Sequence, residues 1–432
     1  MLDFVKRRSI NEELARLASK DGFTIQGITK SEFIRQAFAS RGMKMPTSNT
    51  SVMKLIHDFF DEAKAKTVQD IAKRSKEGHS VSLTLDEWTS VSNKRYMNIN
   101  IHFADGAMIN LGLIPISGSL PAEKIVALVK SAVEGFGLKP NDVFGATTDG
   151  AAVMIKFGKS SGYMHQLCYN HGLHLAVCDV LYKNVPNELI PQDDEESDDD
   201  YDDSDEEYEN EDNVISDAGL YRSSFSVTLK QIRKVIRIFR ASPVKNALLQ
   251  EKISKVFGKS LKLLLDVRTR WNSTVTMLER FLKVWKCIDE TLEDLGQKDF
   301  HLTKKDVESI QNLMSALQPI KLSSEALGRR DANLLTAEGS LSFLFTKLKD
   351  QNTCIATELY DAILKRIGER RNKELVSVMK FLNNKTTVTC AELPVLTRSQ
   401  IFKFIKDIFL KAITGITVDL FRARPILLLN RS

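Results

Sequence analysis

The segment VSLTLDEWTS (81–90) opens the stretch that decides the fold, which continues through TTDGAAVM (147–154) to CYNHGLHLAV (168–177). At its start, the apolar Val81, Leu83 and Leu85 alternate with polar residues, the period-two pattern of a half-buried strand. Asp86 therefore belongs to the face opposite the buried side chains. Alternation over 96–103 and 108–116 predicts two more strands, so that the three form an antiparallel meander.

A helix and a fourth strand follow the meander. Apolar residues at 3.6-residue spacing predict a helix over 121–136, which Gly137 ends. The next predicted strand, 142–147, leads directly into Asp149. This order of three strands, a helix and a strand is that of an RNase H-like core, in which the first and fourth strands are neighbours. Asp86 and Asp149 would then lie side by side.

Two converging carboxylates are ligands that suit Mg²⁺ or Mn²⁺, and two-metal phosphoryl transfer needs ions about 3.5–4 Å apart. Asp86 and Asp149 are therefore the candidate catalytic and metal-binding residues. The predicted fold class is α/β, an RNase H-like core interrupted by a large all-helical insertion and preceded by a helical N-terminal segment.

Four ordered motifs resemble those of the hAT superfamily of DNA transposases: LDEWTS, TTDGAAVM, CYNHGLHL and, further on, VRTRWNST (267–274). The resemblance covers roughly Leu14 to Leu348. It implies a nuclear protein that binds DNA, with an ancestral DDE-type activity that cleaves and transfers strands at transposon ends. In the family a C-x-x-H motif lies beside the acidic site, which makes His171 a candidate to assist at the scissile phosphate.

The family also uses an R-W pair to hold an extruded base, a role that the resemblance assigns to Arg270 and Trp271. An indole offers an unpaired base a stacking surface, and neighbouring Arg268 and Asn272 complete the candidate nucleic-acid-binding group. Two alternatives stay open: Trp271 near a helix start can be a core residue, and His171 can be a hydrogen-bonded structural histidine.

Four potential zinc ligands lie close together in sequence: Cys168, His171, His174 and Cys178. On a helix they would be spread over about 15 Å, at 1.5 Å per residue, and could not surround one ion. No zinc is therefore expected, although a single Cys–His pair could form.

The third acid of the DDE set is not recognisable. In the family it is a glutamate on the last helix of the core, in an S-x-x-E-R-x-F-S-like motif, and the nearby pairs Glu279-Arg280 and Glu369-Arg370 lack that context. The family's BED zinc finger and dimerisation region are not recognisable either. The leading hypothesis is a truncated or domesticated transposase that binds DNA without competent transposition. The alternatives are an active transposase whose third acid is Glu325 or Glu338, or a helical protein-interaction scaffold.

Charge is distributed unevenly along the 432 residues. Residues 193–212 hold 15 acids and no Lys or Arg, so the rest of the chain carries 61 bases against 41 acids, a net charge of +20. Such a body is compatible with phosphate binding. The acidic run predicts a disordered segment that could bind protein partners, or compete with DNA, in which case deleting it should raise DNA affinity.

Apolar runs and cysteine spacing bear on two other classes, membrane proteins and secreted proteins. No apolar run approaches the ~18 residues of a membrane span. The first residues, MLDFVKRRSINEEL, lack the hydrophobic segment of a secretory signal, so we expect none. Five cysteines without paired spacing predict reduced thiols. We predict five regions: a helical N-terminal segment (1–80), the RNase H-like core (81–184), an acidic disordered linker (185–223), the helical insertion (224–385) and an atypical tail (386–432).

Helical patterns fill the segments on either side of the core. Ser31 is a predicted N-cap, and Ser51 is predicted to open a long helix with Phe59 and Phe60 among its inward residues. After the acidic run, residues 227–239 form a helix with Lys230, Arg233, Arg237 and Arg240 on one face, either a phosphate-binding stripe or a solvated surface. Further helices are predicted at 244–257, 274–291, 304–326 and 333–349.

Overall fold

The computed structural model describes residues 8–76, 80–90, 92–181, 217–267, 271–297, 300–383 and 392–413. The chain divides into two compact units. The first comprises Met1–Ala146, Lys156–Met164 and Lys411–Ser432, and the second comprises Thr147–Ile155 and His165–Leu410.

A five-stranded mixed sheet has the order β3-β2-β1-β4-β5, which places the first and fourth strands next to each other. The antiparallel meander is formed as the alternating pattern predicts, and β3 has the predicted bounds. The short strand β5 was not among the predicted elements. The strands are β1 (Val81–Thr89), β2 (Arg95–Phe103), β3 (Met108–Ile116), β4 (Val143–Thr148) and β5 (Met164–Leu167).

Alternation along β1 and β2 sets the register of the meander. Leu83 pairs with Ile101 and Leu85 with Ile99, and all four side chains are buried. Since successive side chains point to opposite faces, the residues between them form a second, more polar face. Asp86 belongs to that face, opposite Asn98 of β2.

Four N-terminal helices enclose a small apolar cluster that includes Leu14, Ile28 and Val52. Ser31 caps α3 by accepting a hydrogen bond from the Ile34 amide at 3.3 Å, as predicted. Phe60 was predicted to face inward but is 54% exposed, because the long helix α4 turns that side away from the cluster. The helices are α1 (Ile10–Ser19), α2 (Ile25–Lys30), α3 (Glu32–Ala39) and α4 (Asn49–Lys76).

Three helices follow the meander along the chain. The first matches the predicted amphipathic helix and buries Ile125, Val129 and Val133 on one side. A 3-10 turn, Pro140–Asp142, leads into β4. The other two helices follow β4 and β5, and the first of them was not predicted. They are α5 (Ala122–Glu134), α6 (Ala152–Ser160) and α7 (Tyr169–Leu181).

Helices make up most of the remaining described residues, as predicted from residue 224 onward. Four predicted helices match observed ones within about three residues at each end. The first of the series begins at Asp217, so residues 217–223 of the predicted linker are helical, while 185–216 lie outside the described residues. The helices are α8 (Asp217–Ala241), α9 (Pro243–Phe257), α10 (Trp271–Asp294), α11 (Lys304–Leu327), α12 (Leu334–Asp350), α13 (Cys354–Arg370), α14 (Lys373–Asn383) and α15 (Arg398–Ile413).

One large apolar core unites α7 with the helices from α8 to α13. Helix α7 packs most extensively on α13, and its Leu173, Ala176 and Val177 are fully buried. Within the described residues, no helix is long and apolar enough to cross a lipid bilayer. The molecule is thus a mixed α/β protein, and the predicted region boundaries remain predictions.

Candidate functional site

Asp86 lies on the polar face of the meander, in the first unit. The residues around it form a ladder of hydrogen bonds across the three strands. The Asn110 side-chain amide donates to Asn98 Oδ1 at 2.6 Å and to Asn100 Oδ1 at 2.8 Å. The Asn100 amide in turn donates to Thr84 Oγ1 at 3.2 Å. Because this ladder holds the neighbouring side chains in place, Asp86 is presented from a fixed polar surface.

An aromatic pair adjoins Asp86 on the same face. Trp88, two residues further along β1, is 40% exposed and stacks on Tyr96 with ring centroids 5.2 Å apart. Lys94, Arg95 and Tyr96 line a shallow groove next to this pair, and Arg95 Nε donates to the Glu87 carboxylate at 2.7 Å. An exposed indole can stack with an unpaired base. Period-two alternation from Asp86 would have identified Trp88 from the sequence.

Asp149, in the second unit, occupies the turn between β4 and α6. Its Oδ1 accepts a hydrogen bond from the Ala151 amide at 3.1 Å, which stabilises the turn. The preceding Thr148 is fixed twice: its carbonyl accepts from the Cys168 amide at 2.7 Å, and its hydroxyl lies 2.9 Å from His165 Nε2. The structure therefore brings the start of the C-x-x-H segment next to the Asp149 turn.

Arg370, at the end of α13, packs against the same turn and was missed by the sequence analysis. A Cβ atom added to Gly150 would lie 2.9 Å from its Nη2, and one added to Gly172 would lie 2.9 Å from its Cδ. The two glycines thus make room for a nearly buried guanidinium. Burial and the neighbouring Arg366 lower the pKa of Arg370. The glycine in T-T-D-G and the one in N-H-G-L were the available signals.

The side chain of Gln166 ties β5 to the chain that follows α13. Its amide donates to the Arg370 carbonyl at 2.9 Å, and its Oε1 accepts from the Asn372 amide at 3.3 Å. Near the C-terminal end of α7, Asp179 accepts two hydrogen bonds from Arg366, at 2.6 and 2.9 Å. These bonds fix the end of α13 against the Asp149 turn.

His171 lies on α7, one turn beyond Cys168, and its ring centroid is 6.1 Å from that of His174. Cys168 immediately precedes α7, and the other three potential zinc ligands, His171, His174 and Cys178, lie along the helix. His174 Nε2 is 3.6 Å from Cys178 Sγ, so one Cys–His pair forms. Burial, followed by the charge of His171, lowers the pKa of His174, and burial followed by Asp179 raises the pKa of Cys178 to about 11.

The glutamates considered for the third acid are mostly engaged elsewhere. Glu338 is 1% exposed and is held by Arg371 and Lys380. Glu279 pairs with Lys321 at 3.2 Å. Glu369 lies within 4 Å of two arginines, Arg366 and Arg370. Glu325 is exposed on α11.

Trp271 is the first residue of α10 and is only 3% exposed, within the large helical core. An indole this buried does not present its face to an extruded base, so its position supports the alternative of a core residue. Arg268 and Arg270 lie outside the described residues, and Asn272 is exposed next to Trp271.

A buried polar network links Arg233, Asp266 and Thr274. Arg233 donates to both oxygens of Asp266, at 2.9 and 2.6 Å, and Thr274 donates to the same carboxylate at 2.8 Å. Burial raises the pKa of Asp266, but the hydrogen bonds from Arg233 and Thr274 outweigh it and lower the pKa below its ordinary value. The prediction that Arg233 shares an exposed basic stripe was therefore wrong, because the Asp266 carboxylate draws it into the interior.

The donor chemistry of Asp86 and Asp149 suits a hard divalent cation, since both offer carboxylate oxygens. Among the residues that the structure describes, no three His, Cys, Asp or Glu side chains are gathered closely enough to hold a metal ion. Shared binding of Mg²⁺ or Mn²⁺ by the two aspartates remains a prediction.

Two comparisons place this chain among known sequences. Residues 212–316 match the family model described as "ZBED1 RNase-like helical domain", a region that includes α8, α9 and α10. A "Putative transcriptional regulator tpeD" from Talaromyces stipitatus is 25% identical over 317 residues, which cover 68% of this chain and 35% of that protein. The chain therefore spans about a third of the length of that relative. The family-model match agrees in part with the resemblance to transposase-derived proteins.

Proposed function

We propose that this chain is a hAT-transposase-derived protein that binds DNA in the nucleus and serves in regulation. The observation that carries the proposal is the match of residues 212–316 to a ZBED1-type RNase-like helical domain. That region follows a sheet whose first and fourth strands are neighbours. Asp86 lies on the first of these strands and Asp149 follows the fourth. This arrangement is consistent with an RNase H-like core interrupted by a helical insertion.

A regulatory role is favoured by the relative from Talaromyces, whose name describes a transcriptional regulator. The net charge of +20 outside residues 193–212 supports DNA as the partner, since a basic body attracts phosphates. Nuclear localisation follows from the same reasoning.

We further propose that this chain does not transfer strands by itself. Of the two glutamates considered as the third acid, Glu338 is buried and engaged by Arg371 and Lys380, whereas Glu325 is exposed on α11. A carboxylate held by Arg or Lys must give up that partner before it can bind Mg²⁺, which makes it a poor metal ligand. Asp86 and Asp149 would still hold one ion weakly through their oxygens.

DNA binding is tested by fluorescence anisotropy with a labelled duplex at several salt concentrations. We expect log K to fall linearly with log salt, because bound phosphates release counterions. A chain that binds no duplex at low salt would instead be a protein-interaction scaffold. Catalysis is tested with a terminal-repeat duplex and Mn²⁺: cleavage by this chain that Asp86→Asn abolishes would overturn the second proposal.

A further inference from the structure

Helix α8 has an unusual charge pattern. After its first residue, Asp217, the helix contains no Asp or Glu through Ala241, whereas six Lys and Arg residues occur. An ordinary solvated helix mixes both signs of charge, since opposite charges at i and i+4 stabilise it. The pattern on α8 instead concentrates positive charge.

The apolar face of α8 packs into the helical core. Ile232, Val235, Ile236 and Phe239 are fully buried, and the helix packs on α7, α9 and α11. This packing fixes the rotation of α8 about its axis. The basic side chains are consequently held in a defined direction on a rigid element.

Four cations are exposed on the outer side: Lys230, Lys234, Arg237 and Arg240. We call these four residues the α8 basic face. Their spacing of four, three and three residues keeps them on one side of the helix. Lys234 also lies over the Phe300 ring, with its Nζ 5.3 Å from the centroid, which limits the freedom of its side chain.

Arg233 shows the contrast within the same helix. Its guanidinium is turned away and neutralised by Asp266 in the interior. A carboxylate also lies near the start of the face, where Asp306 accepts a hydrogen bond from Thr228 at 3.4 Å. The carboxylate of Asp266 is therefore bound by the buried arginine of α8.

The dimensions of the face suit a nucleic-acid backbone. From residue 230 to residue 240 a helix rises about 15 Å, at 1.5 Å per residue. The same length of duplex axis carries about nine phosphates, at one charge per ~1.7 Å. The spacing of the four cations along this row therefore allows each of them to reach a phosphate.

We propose that the α8 basic face binds the phosphate backbone of duplex DNA without reading its sequence. This inference rests on the proposed DNA-binding function and adds the surface that carries it. Long cationic side chains on a helix flank make phosphate contacts, which set orientation and affinity, whereas bases are read by side chains inserted into a groove. The contact therefore contributes equally for unrelated sequences.

The test is a triple variant, Lys230→Gln/Lys234→Gln/Arg240→Gln, compared with wild type by anisotropy on two unrelated duplexes. We expect the slope of log K against log salt to fall by about 2.7, from ~0.9 per lost phosphate contact. Affinity should weaken by the same factor on both duplexes. Circular dichroism and the melting temperature check that the variant is folded.

A matched control removes three cations that already have acidic partners: Lys252→Gln/Lys255→Gln/Lys321→Gln. These lysines pair with Asp294, Glu251 and Glu279. The control changes the net charge by the same amount, and we expect its salt slope to match wild type. Equal losses in both triple variants would mean that net charge alone attracts DNA and would overturn the inference.

Two further outcomes distinguish a failure of the proposed DNA-binding function from a failure of the α8 basic face. If wild type binds no duplex, the proposed function fails before the surface is tested. If wild type binds duplex and the α8 variant binds equally well, the function stands and this surface is wrong. Loss of binding to an acidic peptide or an RNA, with duplex affinity unchanged, would also overturn the assignment to DNA.

Discussion

The guanidinium of Arg371 donates two hydrogen bonds to the carboxylate of Glu338, at 2.8 Å from Nε and 2.9 Å from Nη2. Both side chains are at most 2% exposed, and Lys380 Nζ lies 2.8 Å from the same carboxylate. These contacts join Glu338 of α12 to Arg371, between α13 and α14, and to Lys380 of α14. Glu338 is thus a structural residue of the second unit.

Replacing Glu338 with Ala should lower the free energy of unfolding by about 3–5 kcal/mol, because two buried cations would lose their partner. Urea denaturation measures the loss. The control is Glu251→Ala, since Glu251 pairs with Lys255 at the surface and should give no measurable change. A Glu338→Ala protein as stable as wild type would contradict this account.

Stability should fall in acid through Glu338 and Asp266. Burial raises the pKa of Glu338, but the hydrogen bonds and charges of Arg371 and Lys380 outweigh this effect and lower the pKa below its ordinary value. The pKa of Asp266 is also lowered. A lowered folded-state pKa gives stability that is present above the unfolded pKa of about 4 and is lost as pH falls below it.

Denaturation between pH 6 and pH 3 measures this dependence. The variant Glu338→Gln/Asp266→Asn should be less stable at pH 6 but should lose less stability per pH unit below pH 4. If its slope equalled that of wild type, other carboxylates would be responsible.

Gly172→Ala tests the packing of Arg370. The new methyl group would lie 2.9 Å from Arg370 Cδ and 3.2 Å from Ile367 Cδ1. Since the guanidinium also rests against Gly150, it cannot simply move away, and overpacking should cost about 1–3 kcal/mol. Thermal melting compares it with Gly339→Ala in α12, where nothing lies within 4 Å and alanine should be neutral or stabilising. Similar effects at both glycines would rule out a special role for Arg370.

Trp271→Ala should destabilise the second unit by about 3–5 kcal/mol, the usual cost of removing a buried aromatic side chain. The milder Trp271→Phe keeps most of the packing and allows binding to be measured on folded protein. We expect it to leave affinity for DNA with an unpaired base unchanged. A selective loss of that affinity would restore the base-holding role suggested by the family resemblance.

Trp88→Ala should affect the binding of single-stranded DNA more than it affects stability. Trp88 is 40% exposed, so its loss should change stability little. If the Trp88–Tyr96 pair stacks with an unpaired base, affinity for single-stranded DNA should fall by roughly 5- to 150-fold, from about 1–3 kcal/mol per base. Phe33→Ala is the control, because Phe33 is an 80% exposed aromatic residue on α3. Equal effects of the two substitutions would exclude a specific platform.

The elements that the sequence predicted best are those with strong local patterns. The alternation from Val81 to Leu85 and the 3.6-residue spacing in α10 are local properties, and both elements formed. Strand β5 is four residues long and carries only one buried side chain, Gln166, so no periodic signal could mark it. Its strand conformation depends on pairing within the sheet, which lies outside the local sequence.

The candidate site was less accessible to sequence reasoning, for a related reason. Whether Arg233 is exposed depends on Asp266, 33 residues further along the chain. Whether Trp271 can stack on a base depends on how the helical core covers it. The residue types at Asp86 and Asp149 were identified from local motifs, but the place of Arg370 beside Gly150 depends on a tertiary contact between distant segments.

The bonds of Gln166 have a consequence for synthesis of the chain. Their partners, Arg370 and Asn372, follow 204 and 206 residues later. At about 5–20 residues per second, a ribosome needs roughly 10–40 seconds to add that length. During this interval the apolar side of α7 has emerged without α13 to cover it. We therefore expect the nascent chain to expose the apolar surface of α7 until α13 has been made, an interval in which it is prone to aggregation.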